Sequence, residues 1–134
     1  MSAKVFFDTN IILYILTTDA RKAAITETLL AFGGTISVQV LNELVSVSLK
    51  KFKLPLPAVA ATLTALRNTL AVVPIDIAVH ERGLELIGKH KFSPYDAMIV
   101  AAALLADCKT LYSEDMQDGA KIEGLTIRNP YKAT

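Results

Sequence analysis

The hydrophobic pattern opens with Val5-Phe6-Phe7, three apolar residues that stop abruptly at Asp8-Thr9-Asn10. A short apolar run bounded by polar turn formers reads as a buried strand, which places Asp8 at its carboxyl end. Ile11-Ile12-Leu13-Tyr14-Ile15-Leu16 then predicts a short helix, capped by Thr9 or Asn10 and ended by Thr17-Thr18-Asp19. Within Arg21 to Phe32, Ile25, Leu29 and Phe32 recur at helical spacing, and Gly33-Gly34 supplies the stop. Thr35-Ile36-Ser37-Val38 has β character, and Ser37 is placed to cap a third helix through Val40, Leu41, Leu44, Val45 and Leu49 to Lys53. Pro55 and Pro57 break the chain, and Pro57 suits the opening of a fourth helix carrying Val59, Leu63, Leu66 and Leu70. Ala71-Val72-Val73 predicts another strand.

Pro74 and Asp76 introduce a fifth helix with Ile77, Leu84 and Ile87 on one face and Gly88 near its end. A basic loop, Lys89-His90-Lys91-Phe92, leads to Ser93-Pro94-Tyr95-Asp96, a strong helix start with Ser93 as cap and Asp96 three residues on. The sixth helix that follows is apolar on every side, so it belongs at the centre of the domain. Tyr95 is expected to pack. Thr110-Leu111-Tyr112, ending in Ser113-Glu114-Asp115, and Leu125-Thr126-Ile127 complete five predicted strands. Strands alternating with helices define an α/β fold with a parallel sheet. In such sheets ligands gather at the carboxyl ends of the strands, where Asp8 stands.

Composition narrows the function classes. At 134 residues the chain fits one domain, residues 1–134. Cys108 is the sole cysteine and His80 and His90 are far apart, which excludes an internal disulfide and a Cys/His zinc cluster. The longest apolar run, Ala97 to Ala106, falls short of the roughly 20 residues that cross a bilayer, and Met1-Ser2-Ala3-Lys4 leads straight into the first strand without a leader. A cytoplasmic location is the expectation. A hydrophobic content of 52% with a mean hydropathy of +0.42 points to apolar surface covered by a partner, hence an oligomer. The net charge of +1 neither requires nor excludes nucleic acid.

The acids carry the chemistry. Asp8 ends the first strand, Asp96 lies in the first turn of the buried helix, and Glu114 and Asp115 follow the fourth strand. Glu43 shares a helical face with Val40 and Val47, which argues for a half-buried position. Each has a plainer account: Asp8 as a helix cap, Asp96 as part of a capping box, Glu43 as a solvated helix residue, and Glu114, Asp115 and Asp118 as a polar turn. Thr9 and Ser113 read as turn and capping residues. Taken together, carboxylates converging without basic neighbours repel one another unless a cation sits among them. Oxygen-only ligands suit Mg²⁺ or Mn²⁺, and such ions support phosphodiester cleavage.

Asp8-Thr9-Asn10 after an apolar strand, Asn42-Glu43-Leu44 in a helix, Ser93-Pro94-Tyr95-Asp96-Ala97 opening an alanine-rich helix, and Leu111-Tyr112-Ser113-Glu114-Asp115-Met116 occur in that order. From Val5 to about Ile127 the chain resembles PIN-domain ribonucleases, and most of all the VapC-type toxins of bacterial toxin–antitoxin pairs. The resemblance implies a three-layer α/β/α domain around about five parallel strands. It also implies one or two Mg²⁺ or Mn²⁺ ions held by Asp8, Glu43, Asp96 and Asp115, with Asn10 as a polar supporter beside Asp8. Glu114 and Asp118 share the loop of Asp115, which matches the motif position. A homodimer, an antitoxin partner and an RNA substrate are implied as well.

Lys50, Lys51 and Lys53 after the third helix, and Lys89, His90 and Lys91 before the sixth, can hold RNA phosphates. The simpler account is the preference of cations for helix C-termini. Two other functions compete. A phosphatase of the haloacid-dehalogenase kind also begins with a strand-end aspartate, but requires a second aspartate where this chain has Asn10. A catalytically silent module that binds RNA or protein would be expected to have lost an acid, and every expected acidic position is filled.

Overall fold

The computed structural model describes residues 4–132; residues 1–3, on which the expected absence of a leader partly rests, lie outside that range. Strand β1 (Val5–Phe7) forms where residues of high strand preference precede polar ones. Asp8, with extended backbone, caps helix α1 (Thr9–Ile12) by accepting the Thr9 N–H at 2.7 Å, so the cap is the acid itself and not Thr9 or Asn10. After four residues the helix tightens into a 3₁₀ turn at Leu13–Leu16, which splits the single helix expected there. Helix α2 (Ala20–Ala31) has Asp19 as its N-terminal cap and Phe32 as its C-terminal cap. Strand β2 (Thr35–Ser37) hands over directly to α3 (Val38–Lys50), with Ser37 as the expected cap. Helix α3 ends three residues before the expected Lys53, which itself has a left-handed backbone.

Helix α4 (Leu56–Thr69), strand β3 (Ala71–Val73), helix α5 (Ile77–His90), helix α6 (Pro94–Leu105) and strand β4 (Thr110–Tyr112) follow the predicted order. The last two strands are β5 (Lys121–Ile122) and β6 (Leu125–Arg128). The sheet order is β3-β2-β1-β4-β6-β5. Five strands are parallel, as expected. The correction is a sixth, β5, which pairs antiparallel with β6 through Glu123 and Gly124, both at positive φ. That pair of backbone angles is the signature of a tight two-residue hairpin turn.

This order creates the site. From β1 the chain winds through β2 to β3 on one side, then returns so that β4 lies on the other side of β1, in register Phe6 to Leu111 and Phe7 to Tyr112. The reversal falls between β1 and β4, and a crevice opens at the carboxyl ends of two strands whose connections depart in opposite directions. Right-handed crossovers place α2 to α4 on one face and α5 and α6 on the other, which gives the three-layer α/β/α architecture. Helix α6 lies close because its buried face is mostly alanine: Ala97, Ala101, Ala102 and Ala103 are covered along with Ile99 and Val100. Phe6, Phe7, Ile36, Leu111 and Ile127 are fully or almost fully buried, each burial contributing about 1.5–3 kcal/mol. At Gly34 (φ +155°) a Cβ would stand 2.5 Å from the Phe7 ring, so the start of β2 requires glycine. Among the described residues no helix is long and apolar enough to cross a membrane.

Candidate active site

Four elements deliver one acid each to the strand ends. Asp8 is buried directly after β1 and is held in place from both main chain and side chain. Its N–H donates to the Tyr112 carbonyl of β4 at 2.9 Å, and its Oδ2 accepts from the Ser113 hydroxyl at 2.9 Å and from Asn10 Nδ2 at 3.1 Å. Asn10 joins the two loops at the switch point. Its Nδ2 also donates to Asp115 Oδ2 at 3.1 Å, and its Oδ1 accepts the Glu114 N–H at 3.0 Å. The two nearer acceptors of Nδ2 are carboxylates, with the Ser113 hydroxyl a third at 3.5 Å, and the partner of Oδ1 is an N–H, so the network itself fixes which way the amide faces. Glu43 arrives from α3, half-buried, and its Oε1 accepts from the Thr9 hydroxyl at 2.8 Å and from Gln39 Nε2 at 3.3 Å. Asp96 lies in the first turn of α6, where its N–H donates to the Ser93 hydroxyl at 3.3 Å.

The structure separates the three acids of the loop after β4. Glu114 turns away from the crevice to pair with Lys22 and the Tyr14 hydroxyl. Burial pushes its carboxyl up, but the Lys22 and Tyr14 hydrogen bonds outweigh that and hold it below the usual range. Asp118 accepts the Asn129 N–H at 2.8 Å and faces Lys132 at 3.8 Å. Only Asp115 of the three is joined to Asp8 through Asn10. Ser113, which pattern alone reads as a turn residue, is fully buried against Asp8.

The electrostatics are those of an uncompensated acidic cluster. Burial raises the Asp8 carboxyl to about 6; the Ser113 and Thr9 hydrogen bonds oppose this, and the charges of Asp96 and Glu43 add to it. Burial likewise raises Asp96, against a pull from the Ser93 hydroxyl and with a further push from the charges of Asp115 and Glu43. Among the described residues, no lysine or arginine pairs with Asp8, Glu43, Asp96 or Asp115. Nor are three acidic, histidine or cysteine side chains grouped tightly enough to grip an ion as they stand. The donor set is all oxygen, which fits a hard divalent cation.

The lysines divide. Lys50 lies seven residues beyond Glu43 on α3, roughly 10 Å along the axis, with Lys51 as the C-cap and Lys53 in the loop beyond it. Lys89 and Lys91 close α5 just before α6, whose first turn carries Asp96. Two residues outside the expected acidic set also border the site. Gln39 Nε2 donates to the Tyr95 carbonyl at 3.2 Å, tying α3 to α6, and the Tyr95 ring is 73% exposed where packing was expected. The position of Gln39 one helical turn before Glu43 was the available signal.

This fold and site place the chain in a family. It belongs to the PIN domain family, whose model matches residues 5–119. Among solved structures it is similar to a chain of a toxin–antitoxin complex from Klebsiella pneumoniae, at 27% identity and TM-score 0.74, covering 97% of this chain and 100% of that one. It shares its fold with Mycobacterium tuberculosis VapC20, described as a sarcin–ricin loop cleaving toxin, at 18% identity and TM-score 0.69, covering 84% and 90%. Rickettsia felis VapBC2, bound to a promoter DNA fragment, matches at 21% identity and TM-score 0.69, covering 93% and 97%. No curated protein sequence matches significantly.

The buried aspartate predicts a pH dependence. Asp8 moves from 3.8 to about 6 on folding, so its contribution to stability is fully present below pH 3.8 and is lost as pH rises through 6. Ionised Asp8 therefore costs about 3 kcal/mol above that window. In metal-free buffer, Asp8→Asn is expected to unfold at higher urea than the parent at about pH 7.5, with the gain shrinking towards about pH 4. An equal difference at both pH values would show that Asp8 does not titrate in this window.

Proposed function

We propose that this chain is a metal-dependent endoribonuclease that acts as the toxin of a toxin–antitoxin pair. The observation that carries the reading is the convergence of Asp8, Glu43, Asp96 and Asp115 at one sheet edge without a pairing cation, with Asn10 bonded to both Asp8 and Asp115. The Klebsiella pneumoniae neighbour, a toxin–antitoxin complex, supports the biological setting, and the description of VapC20 supports RNA as substrate.

Asp8, Glu43, Asp96 and Asp115 would hold one or two Mg²⁺ or Mn²⁺ ions. When bound, such an ion supplies positive charge against the scissile phosphodiester and acidifies water for attack. The protein's own part is positional. Ser113 and Asn10 fix the Asp8 carboxylate, Thr9 and Gln39 fix Glu43, and the Ser93 cap fixes the backbone from which Asp96 projects. Glu114 supports the loop from outside through Lys22, and Asp118 serves the loop's return to Asn129. A silent binding module gains no support, since no acid of the set is missing.

Asp8→Asn keeps a competent helix cap, because asparagine caps about as well as aspartate, but removes an anionic ligand. Asp8→Asn, Asp96→Asn and Asp115→Asn are expected to fold, bind Mn²⁺ poorly by calorimetry and lose about 10²-fold or more in cleavage of structured RNA. Asp118→Asn should retain most activity, and EDTA should abolish cleavage by the parent. Full cleavage by folded Asp8→Asn would overturn the mechanism.

Lys89 and Lys91, at the end of α5 beside the start of α6, are proposed to hold RNA phosphates, while Lys50, Lys51 and Lys53 lie outside the track. Replacing Lys89 and Lys91 with alanine should weaken RNA binding and flatten its salt dependence by about one to two counterions. Replacing Lys50, Lys51 and Lys53 with alanine should leave the slope unchanged, and an equal change in both variant sets would remove this distinction.

A homodimer is proposed to cover the exposed apolar side chains of Ile77 and Leu84 on α5 and Leu105 on α6. Light scattering at tens of micromolar should report a dimer mass, because standard-size interfaces commonly bind more tightly than that. A monomer mass would set the dimer aside and leave those side chains to the antitoxin.

A further inference from the structure

Beside the acidic centre runs a groove between the first turns of α3 and the start of α6. It has a volume of about 580 Å³, within the range of about 300–1,000 Å³ typical of small-ligand sites, and shares Glu43 with the centre. Val38, Ile75 and the exposed Tyr95 ring give it apolar walls. Along its helical side lie Gln39, Asn42 and Ser46. Gln39 uses its Nε2 on Glu43 and on the Tyr95 carbonyl, which leaves its Oε1 as an acceptor. Neither the Asn42 amide nor the Ser46 hydroxyl is hydrogen-bonded within the described residues.

We propose that this groove is a subsite for one unpaired nucleobase next to the scissile phosphate, stacked on Tyr95 and read at its edge by Gln39, Asn42 and Ser46. The inference rests on the ribonuclease reading of the adjoining acids. A phosphate is the wrong occupant, since the groove has no lysine or arginine and has Glu43 in its wall. An amphipathic partner helix would find apolar walls at Val38, Ile75 and Tyr95, but would leave the hydrogen-bonding groups of Gln39, Asn42 and Ser46 covered and unpaired. A nucleobase suits both walls, having an apolar face and a hydrogen-bonding edge. Sequence-specific recognition of single-stranded RNA characteristically combines aromatic stacking with such edge contacts.

The backbone beneath the ring is already fixed. Ser93 caps the helix, and Gln39 holds the Tyr95 carbonyl, so an exposed side chain projects from a rigid start of α6. The Gln39 bond pair also connects the ring's backbone to Glu43. Seating a base is thereby coupled to the acid beside it, and Gln39 acts as a positioning residue for both.

The chain contains no tryptophan, so Tyr95→Trp introduces a unique fluorophore at the platform. In the Asp8→Asn background, titration with a short single-stranded RNA should quench this tryptophan, and an oligonucleotide made wholly of abasic residues should not. Tyr95→Ala should weaken RNA binding about 5- to 100-fold, whereas Tyr95→Phe should retain it. With active protein, Asn42→Ala and Tyr95→Ala should shift the cleavage sites and raise KM more than they lower kcat. Cleavage by the parent together with identical RNA binding by the parent, Tyr95→Ala and abasic ligands would overturn the subsite while leaving the nuclease intact. Base-dependent quenching together with no cleavage by the parent would overturn the nuclease reading and, with it, the placement of the base beside a scissile phosphate. Loss of antitoxin binding by Tyr95→Ala without loss of RNA binding would assign the groove to protein and overturn the proposal.

Discussion

The side-chain amide of Asn10 is the interaction on which the site depends. It lies between two loops that are 103 to 105 residues apart in sequence and binds Asp8, Asp115 and the Glu114 backbone together. An aspartate here would place a third negative charge between two others, and an alanine would leave the Glu114 N–H without its acceptor. A neutral group with donors on one side and an acceptor on the other is what two facing carboxylates and a backbone N–H require. The same residue removes the second aspartate that an aspartyl-phosphate mechanism needs, so one amide both builds this site and excludes that alternative.

Asp8 shows how a structural and a chemical role can share one side chain. Its Oδ1 caps α1 through Thr9, while its Oδ2 is held by Ser113 and Asn10. Burial makes ionisation unfavourable, and these hydrogen bonds only partly offset it. The native chain thus carries an electrostatic cost at neutral pH that apolar packing elsewhere, through Phe6, Phe7 and the alanine face of α6, must cover. Costs of this kind cluster where function demands a particular charge, and a divalent cation is the simplest group that would relieve this one.

Much of this was legible in the sequence where the determinants are local. Val5–Phe7, the Ser37 and Ser93 caps and the proline at the start of α6 announce themselves within a few residues, and the structure follows them. The adjacency of β1 and β4 was not readable in that way, because it depends on the chain reversing after β3. The antiparallel β5 was missed because two residues carry too little pattern, although Glu123-Gly124 is a hairpin signal. Tyr95 was misread for a different reason. Its helix is apolar on nearly every side, yet burial begins only at Ala97, and Ser93, Pro94 and Tyr95 at the helix start are all exposed.

The choice among Glu114, Asp115 and Asp118 illustrates most clearly what local reading cannot reach. In sequence they are three acids in five residues. What sets Glu114 apart is Lys22, 92 residues before it and lying over the rings of Tyr14 and Tyr131, while Asp118 is taken up by the Asn129 N–H and Lys132. Tyr131 is itself fixed through its hydroxyl to Thr26 and through its edge to Tyr14. This aromatic seat aims the ammonium at Glu114, and its hydrogen bond to that carboxylate is the main reason the Lys22 pKa rises. With Glu114 neutralised outside the crevice and the Ser113 hydroxyl accepting the Met116 N–H at 3.3 Å within it, the intervening turn has little freedom. Asp115 is then the acid presented to Asn10. A charge pair outside the crevice thus removes one alternative, and the Asn129 N–H with Lys132 removes the other.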